Sequence, residues 1–146
     1  MAQALSKHPP VSPEQYLLDE NDNPGGIRHE YVNGYVYAMA GASRGHNRVA
    51  MNLAATLHSH LKKSHCEVFQ SDMKVGIRHQ DDVRFYYPDI QVSCEEESDA
   101  YYNTSPCLII EVLSESTARK DRTENLLLES VDLTISVDDL YGFLQA

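Results

Sequence analysis

No uninterrupted apolar run in this 146-residue sequence comes near the ~20 residues that a membrane-spanning helix needs, so no membrane partner is expected. The first ten residues contain no apolar core of a signal peptide, and export by that route is not expected either. Cysteine is scarce. Cys66, Cys94 and Cys107 are odd in number and contain no CxxC pair, so they read as reduced thiols of a cytoplasmic protein rather than a disulfide frame. On that reading the sequon Asn103-Thr104-Ser105 has no meaning. There is no Cys/His zinc pattern, no P-loop and no Gly-x-Ser-x-Gly elbow, which leaves zinc, nucleotide hydrolysis and serine hydrolysis unsupported. Positive charge is also short. Twelve Lys and Arg stand against 22 Asp and Glu, a net charge of −10, which argues against coating nucleic acid by charge alone. An enzyme that touches nucleic acid through a local patch is not excluded. Much of the acidic excess lies in one polar run, Glu95-Glu96-Glu97 with Asp99, which reads as a solvated loop.

What is present suffices for a core. Apolar residues make up 42% and charged residues 23%, and the length suits one domain over 1–146, without repeats or an internal linker. Residues 12–20 predict a short helix, with Ser12 as N-cap, Pro13 at the first position and Gln15 completing a capping box. Residues 27–32 and 35–39 predict a hairpin around Asn33-Gly34. A long helix is expected over 46–63, because Val49, Leu53, Leu57 and Leu61 recur every four positions. Alternation predicts a strand over 72–78, and a second is expected over 83–93, with Pro88 where no ladder bond is needed. Residues 107–113 are apolar except for one, the pattern of a strand covered on both faces. A polar helix from Ser114 to about Asn125, a strand over 131–137 and a last short helix complete the order. The fold class is α/β (α+β), a mixed domain around one sheet.

Glu111 is the residue that does not belong in such a strand. A buried carboxylate costs several kcal/mol unless it is protonated, paired with a base, bound to metal, or placed where the strand opens to solvent. Asp89 lies on the preceding strand among Tyr86, Tyr87 and Ile90, so two carboxylates on neighbouring strands could meet at one point. Oxygen ligands of this kind suit Mg²⁺ or Mn²⁺. Asp72 could add a third or cap its own turn. His58 and His60, two apart on a helix, cannot chelate together. His46 stands at the start of the long helix, as a capping residue or a site residue.

Tyr87-Pro88-Asp89-Ile90 followed by Ile110-Glu111-Val112-Leu113-Ser114 resembles the PD-(D/E)XK nuclease superfamily, and within it the Uma family of bacterial restriction-endonuclease-like proteins. The order of motifs runs from His29-Glu30-Tyr31-Val32-Asn33-Gly34 through His46 and Ser71-Asp72-Met73-Lys74-Val75 to Asp121-Arg122, over residues 10–125. The resemblance implies a restriction-endonuclease-like mixed β-sheet flanked by helices. It implies Asp89, Glu111 and the carbonyl of Val112 as ligands of Mg²⁺ or Mn²⁺, Glu30 as an assisting catalytic residue, DNA as substrate, and a homodimer as an assembly. The chemistry implied is hydrolysis of DNA phosphodiester bonds. Two departures stand out. Leu113 occupies the place of the motif lysine, and Asn125 the place to which the family's lysine migrates on the following helix; Lys120 and Lys74 are substitutes that could equally be solvated surface residues. Residues 126–146 resemble the family's C-terminal end arriving early, as if core strands before it were missing. The alternative function is therefore a non-catalytic remnant, a binding or oligomerising module.

Overall fold

The computed structural model describes residues 9–112, 125–131 and 133–136, with side chains placed over 9–112 and at 130, 131 and 133. The expected polar helix after Ser114, the last short helix, Leu113 and Lys120 lie outside the described residues.

Helix α1, Pro13–Asn21, starts where local chemistry dictates. Ser12 accepts the Gln15 amide at 3.1 Å, and Pro13 has no N–H to leave unpaired. The Gln15 side chain does not close the capping box; it donates to Asp19 one turn on, at 2.8 Å. A hairpin follows, β1 His29–Val32 with β2 Tyr35–Ala38, in register Val32 opposite Tyr35. Its two-residue turn requires positive φ at both positions, and Asn33 (47°) and Gly34 (95°) supply it. Helix α2, Arg44–Leu61, begins two residues before the periodicity shows, because Ser43 accepts the His46 amide at 3.1 Å. Its stripe of Val49, Leu53, Leu57 and Leu61 is buried as the four-residue recurrence predicts.

The remaining strands are β3 Glu67–Gln70, β4 Lys74–His79, β5 Asp82–Tyr86, β6 Ile90–Ser93, β7 Tyr102–Asn103 and β8 Leu108–Ile110. Near the C-terminus, β9 Asn125–Leu128 and β10 Leu133–Ser136 form an antiparallel pair joined through a 3₁₀ turn, Glu129–Val131. Two larger sheets result, one ordered β2-β1-β5-β4-β7 and one β3-β6-β8, rather than the single sheet expected. All pairings are antiparallel except β4 with β7. The expected strand over 83–93 is two strands in two sheets. Pro88 offers no ladder donor, so the chain leaves the first sheet after Tyr86 and enters the second at Ile90. Neither β3 nor β7 was legible beforehand, being short and lacking a clean alternation.

Each sheet has its own core. Tyr16, Tyr31, Val83 and Phe85 cluster on the first, with ring centroids 5.1 Å (Tyr16–Tyr31) and 5.5 Å (Tyr16–Phe85) apart. On the second, the α2 stripe packs against Ile90, Val92 and Val131. His60 donates to the Val131 carbonyl at 2.8 Å, which fixes the C-terminal hairpin against α2. Among the described residues no helix is long and apolar enough to cross a membrane.

Three expectations change here. Strand β8 is not covered on both faces: among the described residues it pairs with β6 alone, Ile109 is 43% exposed, and Glu111 is also exposed. The apolar run resembled a buried strand because hydropathy cannot report how many neighbours a strand has. The acidic run is not simply solvated. Burial opposes ionisation of Glu97, but the amides of Thr104 and Ser105 and the hydroxyls of Thr104 and Ser93 donate to its carboxylate and hold it below its ordinary pKa. The cysteines are not all free. The register Glu67 opposite Ser93 makes Cys66 and Cys94 cross-strand neighbours, and they form a disulfide despite 28 residues of separation.

Two substitutions test this packing. Leu57→Ala, at a fully buried site, should lower unfolding free energy by about 2–5 kcal/mol in urea titrations, against less than about 0.5 kcal/mol for Leu18→Ala at a 68% exposed one. At Gly76 a Cβ would sit 2.9 Å from the Phe85 ring and 3.0 Å from Tyr102, so Gly76→Ala should cost about 1–3 kcal/mol by overpacking. A neutral Gly76→Ala would show that the Phe85–Tyr102 edge contact gives way freely.

Candidate functional site

The two sheets meet at the crossing Tyr87–Asp89, and the three acidic residues singled out in the sequence lie around it. Register explains two of them. Ile90 pairs with Ile110, so one step further along both strands places Asp89 opposite Glu111. Glu30 arrives from β1, whose neighbour β5 runs into the crossing. The three residues line one cleft of about 330 Å³ together with Val75, Ile77 and Ile109.

Each carboxylate is held differently. Glu30 Oε2 accepts the Tyr87 amide at 3.0 Å. Asp89 Oδ2 accepts the Val112 amide at 2.7 Å and His46 Nε2 at 3.1 Å, while the Asp89 carbonyl accepts the Ser71 amide at 3.2 Å. Glu111 is pushed up to about 7, first by loss of hydration, then by the Asp89 charge and a hydrogen bond with it, and then by Glu30; a bond from the Asp89 backbone opposes the rise. Crowding by a second carboxylate disfavours the charged form of Glu111. Hard oxygen donors of this kind suit a divalent cation, whose charge would offset that crowding. Among the described residues, however, no three His, Cys, Asp or Glu converge as a complete ligand cluster.

The other sequence candidates are placed in different ways. Val112 meets Asp89 through its amide N–H. Asp72 is not a third carboxylate here: its side chain is 91% exposed and lies 3.6 Å from Arg28. Lys74 is not a solvated surface residue, since it is only 3% exposed. Nor does it face the acids. Alternation along β4 turns Val75 and Ile77 toward the cleft and Lys74 away, where Nζ meets Asn21 Oδ1 at 3.3 Å and lies 5.4 Å from the Tyr87 ring centre. Burial lowers its pKa, and the charges on Glu20 and Asp99 oppose that. Asn125 opens strand β9 opposite Ser136 rather than lying on a helix.

His46 is the residue that sequence reasoning undervalued. It does not cap α2, since Ser43 does and the His46 amide is the donor that Ser43 accepts; its ring instead reaches Asp89. Its place in the motif order between Glu30 and Asp89 was the available signal. Tyr87 was also missed: its amide fixes Glu30, and its hydroxyl donates to Glu20 at 2.9 Å.

Comparison with known proteins gives the family and the fold. The chain is 36% identical over 116 residues to "Uncharacterized protein slr1290" of Synechocystis sp., covering 78% of this chain and 59% of that protein. It is 35% identical over 101 residues to "Uncharacterized protein sll1609" of the same organism, covering 66% and 56%. It thus spans less than two thirds of the length of either relative. In fold it is similar to the crystal structure of a "putative nuclease belonging to DUF820" from Anabaena variabilis, with a TM-score of 0.68, 16% identity, and coverage of 92% of this chain and 99% of that one. The match to the Uma2 model, described as "Putative restriction endonuclease", runs over residues 13–128 and takes in Glu30, Asp89 and Glu111 alike: the chain belongs to the Uma2 family.

Proposed function

We propose that this chain is a divalent-metal-dependent endonuclease that hydrolyses DNA phosphodiester bonds at the Glu30–Asp89–Glu111 cleft. The observation that carries the reading is the Asp89–Glu111 pair, two crowded carboxylates from adjacent strands at the rim of a sheet. Family membership supports the nuclease class.

Asp89, Glu111 and the main-chain carbonyl of Val112 are the groups that would hold Mg²⁺ or Mn²⁺. Such an ion, when bound, lowers the pKa of a water ligand and offsets charge on a phosphoryl group. The chain's own contribution is orientation. His46 and the Val112 amide fix the Asp89 carboxylate, so it need not reorganise on loading. Glu30, anchored by the Tyr87 amide, is placed to accept a proton from an attacking water. A non-catalytic binding or oligomerising module is the second reading. The burial of Lys74 on the far face favours it, because that lysine cannot stabilise charge at the cleft.

Three measurements decide between these readings. Mn²⁺ at about a hundredfold its Kd should stabilise the parent by about 2.7 kcal/mol in thermal melts, with the gain abolished in Asp89→Ala and strongly reduced in Glu111→Gln. Nicking of supercoiled plasmid in Mn²⁺ should disappear in Asp89→Ala and Glu111→Ala; a parent that melts higher with Mn²⁺ yet never nicks is the binding module. The third is a pH profile without metal. Because the folded pKa of Glu111 is raised to about 7, the folded state keeps a proton that the unfolded chain releases above its ordinary value. Stability from this group is therefore complete at low pH and is lost as pH rises through about 7. The loss should be of order 1 kcal/mol after discounting solvent screening, and Glu111→Gln should flatten it. An unchanged slope in Glu111→Gln would assign the titration elsewhere.

A further inference from the structure

The cysteines take no part in the carboxylate cleft, yet they too are gathered by the three-stranded sheet. Each of its strands has one at the end opposite to Asp89 and Glu111. Cys66 precedes β3, Cys94 follows β6 and Cys107 precedes β8. Cys66 and Cys94 are joined, and Cys107 is free and exposed. The Cys107 amide donates to the Val92 carbonyl at 2.8 Å, which brings its Sγ to 3.5 Å from Cys94 Sγ. Cys94 therefore stands between a bonded sulfur and a free one at contact distance. Sequence spacing gives no hint of this, since Cys66 and Cys107 belong to the two outer strands.

We infer that the three cysteines form a thiol–disulfide exchange site, in which Cys107 attacks Cys94 and displaces Cys66. The Cys107 thiol releases its proton to solvent, and the thiolate electron pair forms the Cys107–Cys94 bond. The Cys66–Cys94 bond breaks, its electron pair leaves on Cys66, and that sulfur takes up a proton. One disulfide and one thiol are present before and after, so no oxidant or reductant enters. The reverse step is attack by Cys66 on Cys94.

Exchange changes which strand is stapled to β6. In the structure the staple joins β3 to β6, and β8 is held by its ladder to β6 and by the packing of Leu108 and Ile110 against the core, without a covalent link. After exchange it joins β6 to β8, the strands whose opposite ends lead to Asp89 and Glu111. This consequence rests on the proposed function of that pair: a stapled β6–β8 holds the two carboxylates together and should favour the ion they share.

Disulfide mapping tests the exchange. Protein purified without reductant is held at mildly alkaline pH, quenched in acid, alkylated, digested and mapped by mass spectrometry. The parent should contain both the Cys66–Cys94 and the Cys94–Cys107 bridge. Cys107→Ser should contain the first alone, and Cys66→Ser in a glutathione redox buffer the second. A parent with only the Cys66–Cys94 bridge at every time, together with free Cys94 and Cys107 in Cys66→Ser, would overturn the inference. The coupling is read separately, by titrating Mn²⁺ into the two variants. Several-fold tighter binding in Cys66→Ser is expected, and equal affinity would overturn the coupling. Absence of Mn²⁺ binding in the parent and both variants would defeat the carboxylate reading and leave the disulfide map to stand by itself.

Discussion

A proline that cannot take part in a ladder sends the chain from one sheet to the other at residues 87–89, and the rest of the architecture is arranged around that crossing. Three residues with so few ladder bonds need other restraints, and they have them. The Tyr87 amide is held by Glu30, and its hydroxyl by Glu20, whose side chain is only 5% exposed. Its ring centre lies 5.5 Å from the Arg28 guanidinium and 5.4 Å from Lys74 Nζ. Burial, followed by the hydrogen bond to Glu20, raises the Tyr87 pKa far above its ordinary value, so the hydroxyl stays a donor. Asp89 is fixed through its carbonyl by Ser71 and through its carboxylate by His46 and Val112. One carboxylate is thus aimed by residues drawn from α2, from the turn before β4 and from the end of β8.

That degree of fixation has a cost that stability alone does not explain. A fold selected only for stability would not place Glu111 where loss of hydration, and then Asp89 and Glu30, suppress its ionisation. At the opposite end of β6, Glu97 shows the stabilising alternative, a carboxylate surrounded by donors and kept charged. The contrast separates two kinds of acid in this chain. Glu97 ties a loop together, whereas Glu111 is held toward its neutral form, which a cation would oppose.

Much of this was legible from local pattern. The α2 stripe, the Asn33-Gly34 turn and the oddity of Glu111 among apolar residues depend on spacings of a few residues, which sequence displays directly. Asp89 and Glu111 could be brought together by assuming that their strands were neighbours, and they are. What was not legible depends on register and on strand count. The run 107–113 looked doubly covered because hydropathy does not report that one face is left open, as it is at Ile109. Lys74 looked solvated because alternation shows that two faces exist without showing that both are buried, and Lys74 lies beneath Tyr87. Cys66 and Cys94 looked free because their pairing is set by how β3 aligns with β6, a long-range property. His46 was read as a cap or a site residue; Ser43 takes the cap, which leaves the His46 ring to meet Asp89.

Charge sets a final constraint on any nuclease reading. The chain's net charge is −10, and the cleft itself is lined by Glu30, Asp89 and Glu111. A phosphodiester approaching such a surface meets like charge, and the nearest buried lysine is directed to the opposite face of the sheet. Screening at physiological salt removes most of this repulsion beyond about 8 Å, but not the contact part. A divalent ion at the acids would offset most of this negative charge where the phosphate must sit, and would favour the charged form of Glu111 in place of the protonated one. Metal dependence in this chain would therefore begin with docking, before any water is activated, and a single cation would have to serve both ends.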